Sequence, residues 1–174
     1  MPTKLGQNFI NNKAVIKKII NAADLTADDL VLEVGPGKGI LTEELAKKAG
    51  KVIAIEIDAN LVGILRNKFK KAKNVEIVEN DILKTDFKNI YTKYKILNTK
   101  YKLIANIPYY ITSSIIRFFL ENEVRPKEMI LMIQKEVAER IIARSGNHSI
   151  LSLSIQYYAD PEILFYVDKS NFDP

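Results

Sequence analysis

Cysteine is absent from the 174 residues of this chain, and histidine occurs once, at His148. Without cysteine there are no disulfides and no thiolate metal sites. With His148 alone, in a Gly-Asn-His-Ser loop, no histidine-built metal triad can form. No charge-free apolar run approaches the roughly 18 residues that a membrane span needs. Residues 1–7 lack the apolar centre of a signal peptide. The expectation is a cytosolic protein with no metal and no membrane partner. Length is that of one domain, and a 47% hydrophobic content is enough for a sizeable core.

Charge is not scarce. The net value is +5, and lysines 4, 13, 17 and 18 precede the first acidic residue, Asp24. Arg66, Lys68, Lys70, Lys71 and Lys73 form a second basic cluster. Clustered cations attract a polyphosphate backbone through counterion release. Solvated helix faces look the same, so charge alone does not assign a partner.

The pattern alternates strand and helix. Asn12 can cap a helix with an apolar face of Val15, Ile16, Ile19, Ile20 and Ala23. Residues 30–34 read as a strand, 40–49 as a helix and 51–57 as a second strand. Asp58 can cap the next helix, followed by strands at 75–78 and 101–105. Thr112 or Ser113 is the expected cap of a helix through Ile115, Ile116, Phe119 and Leu120. Then come a strand at 129–133, a helix at 135–143, an ambiguous run at 150–158 and a strand-like run at 163–167. Residues 88–102 read as a surface connection. Alternation of this kind predicts an α/β fold with a parallel sheet covered on both faces.

The chemistry-bearing residues fall at strand ends. Gly35, Gly37 and Gly39 close the first strand and open a helix, as a loop does when a ligand approaches its backbone. A plain strand-to-helix turn also uses glycines. Glu56 ends the next strand about 20 residues on, where an acid can accept from ribose hydroxyls. Asp81 follows the third strand, in place for an adenine amine. Each acid alone reads as a surface carboxylate or helix cap; with the loop they predict a nucleoside cofactor.

The fourth strand ends in Asn106-Ile107-Pro108-Tyr109-Tyr110. Pro108 fixes its own φ and pushes Ile107 to an extended conformation. The Asn106 side-chain oxygen and the Ile107 carbonyl can then both accept from an exocyclic amine, whose lone pair is otherwise delocalised into its ring. Tyr109 offers a face for a base drawn out of its stack. A core tyrosine in an ordinary turn is the competing reading, and for Tyr110 it weighs at least as much as a role. Ser113 and Ser114 lack a nucleophile-elbow context, and Glu136, Glu139 and Arg140 read as an exposed helical charge pattern.

These residues resemble the ribosomal RNA adenine dimethylases over nearly the whole chain. Besides residues 33–39 and 106–109, residues 4–10, 134–140 and 156–160 are similar to family segments. The resemblance implies a Rossmann-like class I fold dependent on S-adenosylmethionine. It implies that Asn8, Ile10, Gly35, Gly37, Glu56, Asp81 and Asn106 contact that cofactor. Asn106, Ile107, Pro108 and Tyr109 would hold the target adenine, with Phe172 covering its other face. The implied reaction is N6,N6-dimethylation of two adjacent adenosines in the 3′-terminal hairpin of small-subunit RNA, performed by a monomer on immature small subunits. Tyr110 and Ser145 depart from the family's usual residues. The resemblance also implies that residues 1–174 form a catalytic domain without the family's last strand and C-terminal helical domain. Three readings remain beside it: the related large-subunit methyltransferase of macrolide resistance, a nucleotide-dependent oxidoreductase, and a non-catalytic RNA-binding assembly factor.

Overall fold

A computed structural model of the protein describes residues 9–10, 12–84, 87–94, 96, 100–144, 149–168, 170 and 172–173; of these, the side chains at 9, 10, 87, 109, 172 and 173 are not described. Five parallel strands form the central sheet: β2 (Leu30–Val34), β3 (Lys51–Glu56), β4 (Val75–Glu79), β5 (Tyr101–Asn106) and β6 (Glu128–Met132). Their order is β4-β3-β2-β5-β6. Chain order therefore runs outward from β2 in one direction and, after β4, resumes on the far side at β5. That reversal creates a crevice between β2 and β5 at their carboxyl ends. β2 is buried along its whole length, as a central strand covered on both faces must be.

Helices cover both faces. On one, α1 (Lys13–Ala22) and α2 (Ile40–Ala46) bring Val15, Ile16, Ile19, Leu41 and Leu45 against Val31, Val52 and Ile104. On the other, α4 (Phe87–Tyr94) and α5 (Thr112–Glu121) bring Ile90, Tyr91, Ile115 and Phe119 against Leu32, Ile53 and Leu103. Two expected caps form: Asn12 accepts from the Ala14 N–H at 2.8 Å, and Asp58 accepts from the Asn60 N–H at 2.8 Å at the start of α3 (Ala59–Lys68). The sheet class and order of elements match the α/β expectation. A further helix pair, α6 (Lys135–Ile141) and α7 (Ile150–Gln156), packs through Ile141 and Ile155 against Ile116 and Leu120 of α5.

Several local expectations are corrected. The supposed surface connection holds α4, because Ile90, Tyr91 and Tyr94 recur at helical spacing among lysines and bury one face. The ambiguous run at 150–158 is helical, opened by a reciprocal Ser149–Ser152 capping box. Neither Thr112 nor Ser113 caps α5: Ile111 holds that position, and Thr112 is the first helical residue, its hydroxyl donating to the Pro108 carbonyl at 3.3 Å. Ser114 likewise lies inside the helix. Residues 163–167 alternate half-buried and exposed side chains but join no ladder. Their inward Phe165 and Val167 pack directly on the α1 face of the core. A short antiparallel pair, β1 (Phe9–Ile10) with β7 (Phe172–Asp173), joins segments far apart in sequence.

Candidate functional site

The glycine loop follows β2 directly. Gly35, Gly37 and Gly39 all have positive φ, between +58° and +72°. Gly39 has the least freedom: a Cβ there would lie 2.6 Å from Leu65 Cδ2 and 2.9 Å from a Phe69 ring carbon. Helix α3 thus seats the loop, and Lys68 on its last turn adds Nζ bonds to the Gly39 carbonyl at 2.9 Å and the Lys38 carbonyl at 3.3 Å. Lys68 also pairs with Glu43 of α2 at 3.2 Å.

Glu56 closes β3 beside this loop and is 2% exposed. Its Oε2 accepts from the Gly37 N–H at 3.1 Å, and its Oε1 accepts from the Ile57 and Asp58 N–H groups at 2.9 and 3.0 Å. A carboxylate has about four lone-pair sites. Three are occupied by backbone, so one remains for a ligand hydroxyl, and a second hydroxyl would share with Gly37. Asp81, beyond β4, is half-buried; its Oδ1 accepts from the Leu83 N–H at 3.0 Å and its Oδ2 lies 3.5 Å from Lys84 Nζ.

Asn106 ends β5 across the crevice. A Cβ on Gly35 would stand 3.7 Å from the Asn106 carbonyl oxygen, so the loop and the Asn106 turn are in contact distance. The Ile107 N–H extends the ladder to the Met132 carbonyl at 3.2 Å, and the Ile107 side chain is buried. No described residue donates to the Ile107 carbonyl. Pro108 accepts from the Ile111 N–H at 3.2 Å, which tightens residues Tyr109–Ile111 into a single 3₁₀ turn.

An open cavity of about 1320 Å³ runs along these strand ends. Gly35, Gly37, Glu56, Asp81, Asn106, Ile107 and Pro108 all line it. Of the remaining expected site residues, Asn8 lies outside the described residues. Ile10 and Phe172 are placed by backbone alone, where they pair with each other across β1 and β7. Tyr109 is placed by backbone in the 3₁₀ turn.

One group has no assigned role in the sequence reading. Glu33, fourth in β2, lines the cavity and is 1% exposed. Burial pushes its carboxyl up to about 8, and the charge of Glu56 adds to the rise; the Thr42 hydroxyl and the Lys68 ammonium oppose it. Thr42 stands near without completing a hydrogen bond: neither Glu33 Oε2 nor Thr42 Oγ1 has a partner among the described residues. The signal in the sequence is a carboxylate inside an otherwise apolar central strand, Leu-Val-Leu-Glu-Val. An unpartnered buried acid beside a loop whose backbone is open to a ligand suits a cationic or donor-bearing molecule. Lys68 is the other residue that spacing did not single out.

A family model described as ribosomal RNA adenine dimethylase matches residues 1–174. The chain is 47% identical over 170 residues to a ribosomal RNA small subunit methyltransferase A of Dehalococcoides mccartyi, covering 98% of this chain and 57% of that protein. It therefore spans a little over half the length of such relatives. Among solved structures, a dimethyladenosine transferase from Plasmodium falciparum aligns with a TM-score of 0.72 at 34% identity, over 85% of this chain and 52% of the other. A 23S rRNA methyltransferase, ErmE, aligns with a TM-score of 0.69 at 32% identity, over 84% and 56%.

Proposed function

Since the chain belongs to the ribosomal RNA adenine dimethylase family, we propose that it is the catalytic part of an S-adenosylmethionine-dependent enzyme that dimethylates N6 of two adjacent adenosines in the 3′-terminal hairpin of small-subunit RNA. The observation that carries this reading is that the Gly35–Gly37 loop and the Asn106-Ile107-Pro108 turn line one cavity at the β2/β5 crevice. Cofactor loop and amine acceptors meet there on rigid strand ends.

The residues present fit such a cofactor. Gly37 and Glu56 form one pinned unit that leaves a carboxylate lone pair for a ribose hydroxyl. Asp81 stands at the next strand end for an adenine amine. Glu33 supplies an unpartnered acid in the same cavity. S-adenosylmethionine, when bound, supplies a methyl group on a sulfonium leaving group.

The chain's own part is then positioning. The Asn106 side-chain oxygen and the Ile107 carbonyl accept hydrogen bonds from the two N6–H groups in the first transfer, and one of them from the remaining N6–H in the second, drawing the amine towards a tetrahedral geometry. That localises its lone pair for attack. No strong base is required, because the amine becomes acidic only after it has gained the methyl group. Tyr109 supplies a stacking face for the extruded base, and Phe172 the opposite cover. Asn8 and Ile10 complete the cofactor contacts. The enzyme acts as a cytoplasmic monomer on immature small subunits; no helix among the described residues is long and apolar enough to cross a membrane.

The small-subunit assignment is favoured over a 23S target because relatives at 44–48% identity bear the small-subunit name, whereas ErmE shares 32%. The test is methylation of immature small subunits and of protein-free 23S RNA by the full-length protein with labelled cofactor. Label in N6,N6-dimethyladenosine at two neighbouring positions of the small-subunit hairpin is expected. Label in 23S RNA alone, or cofactor binding without transfer to either RNA, overturns the reading.

A further inference from the structure

We propose that Tyr110 is a substrate-positioning residue whose exposed ring stacks on the base next to the target adenosine. The proposal rests on the adenine-methylating reading above and extends it to the neighbouring nucleotide. Tyr110 lines the same cavity as Asn106 and is 65% exposed.

Its backbone is held firmly. The preceding Ile107 is buried, Ile111 packs against the core, and the Pro108 carbonyl accepts from both the Ile111 N–H and the Thr112 hydroxyl. The turn therefore presents an aromatic ring at the rim of the cavity from a fixed base.

Other tyrosines have structural work. Tyr91 and Tyr101 are buried and share the Val124 carbonyl. Tyr94 is buried and donates to Glu76. Tyr158 lies under the Arg125 guanidinium at 4.6 Å. Tyr166, also exposed at the cavity, has Lys135 over its ring and its hydroxyl on Glu139. Tyr110 makes no hydrogen bond and no ring contact with any described residue. Nothing in the fold needs the ring, and a large exposed aromatic without a structural partner loses contact with water at no cost to packing when a ligand covers it.

Base extrusion supplies such a ligand. Drawing one nucleotide out of a stack leaves its neighbour with an uncovered face. An aromatic side chain restores that stacking, and does so for any base, most fully for a purine. With two adjacent adenosines as target, the neighbour is the second adenosine. Tyr109 would hold the reacting base and Tyr110 the one waiting.

The test uses the full-length protein and a small-subunit hairpin RNA carrying 2-aminopurine next to the target adenosine. Stacking on Tyr110 is expected to keep the probe quenched in the complex. Tyr110→Ala is expected to release the quench and raise KM for the RNA about tenfold, with kcat at saturating RNA and the Kd of S-adenosylmethionine unchanged. Tyr110→Phe keeps the wild-type quench and KM, since only the hydroxyl is lost. Wild-type KM and quench in Tyr110→Ala overturn the proposal, as does a loss confined to kcat or cofactor affinity. Wild-type protein that forms no N6-methylated adenosine on immature small subunits overturns the functional reading, and the proposal with it.

Discussion

Near the amino end of β5, Lys102 is buried, yet its ammonium donates to the Ala23 carbonyl at 2.6 Å and the Asp24 carbonyl at 3.2 Å and lies 3.3 Å from Glu128 and 4.0 Å from Asp29. Near the carboxyl end of the adjacent β2, Glu33 is buried more deeply, and its Oε2 has no donor among the described residues. A charge out of water needs partners or it neutralises. One end of the sheet meets that requirement with four oxygens; at the other, burial favours the neutral form of the carboxyl. The amino end is built to hold the sheet together. The carboxyl end keeps an unmet interaction beside an open cavity, a cost that local packing does not justify and a ligand would remove.

The largest effect that separates the two ends is expected at Asn106. Asn106→Ala removes one of the two amine acceptors while keeping the strand and the Pro108 turn. Methyl transfer should fall by about a hundredfold or more, with the thermal midpoint close to wild type. A variant that unfolds at lower temperature in proportion to its lost activity would make Asn106 a structural residue and erase the contrast.

Glu33→Gln comes next and reads out in pH. The folded carboxyl holds its proton up to about 8, whereas the unfolded one loses it near the ordinary 4.5. The folded state therefore binds the extra proton between those values. Stability from this group is complete below 4.5, falls as pH rises towards 8 and is constant above. The wild type should lose on the order of 4–5 kcal/mol across that window through this group alone, and Glu33→Gln should flatten the slope. Urea midpoints at pH 5 and pH 8.5 measure it; equal slopes in both proteins would mean that Glu33 is already partnered or ionised.

At the opposite end, Lys102→Met should cost about 3 kcal/mol, because two backbone carbonyls and the half-buried Asp29 lose their shared cation. Cofactor affinity should stay within about twofold, since the change lies at the far end of the sheet. Calorimetric titration beside a urea melt would show it. A large loss of affinity would mean the two ends are coupled through β5.

The sequence made the sheet legible because its central strands are short apolar runs bounded by glycine and acid, and because alternation with helices leaves only a parallel solution. Gly35, Glu56, Asp81 and Asn106 were legible for the same reason: each ends a strand or follows one within two residues, and strand ends gather at one edge of the sheet. What spacing hides is what depends on a distant partner. Lys68 reads as one more surface lysine until α3 places it on the Gly39 carbonyl. Glu33 reads as a motif letter until burial shows it unpartnered. Residues 163–167 have a strand's alternation, but a ladder needs a neighbour that no local pattern supplies. The helix at Phe87–Tyr94 was obscured by Lys88 and Lys93, which stay exposed while Ile90, Tyr91 and Tyr94 are buried.

The smallest expected effect tests how the amino end is tied. Asn74 precedes β4, and its Nδ2 donates to the Ala46 carbonyl at 2.8 Å and the Ala49 carbonyl at 3.1 Å. The last carbonyls of a helix have no intrahelical donor, so this amide serves the end of α2 that the glycine loop does not touch. Asn74→Ala should cost about 1–2 kcal/mol and leave cofactor affinity unchanged, because the Gly39 end of α2 is held separately by Lys68, Leu65 and Phe69. Asn74→Asp keeps the shape but replaces two donors by acceptors that face the same carbonyls, so its melting temperature should fall below that of Asn74→Ala. If Asp and Ala are equal, the amide bonds contribute nothing beyond packing; if either variant weakens cofactor binding, α2 transmits strain from one end of the sheet to the other.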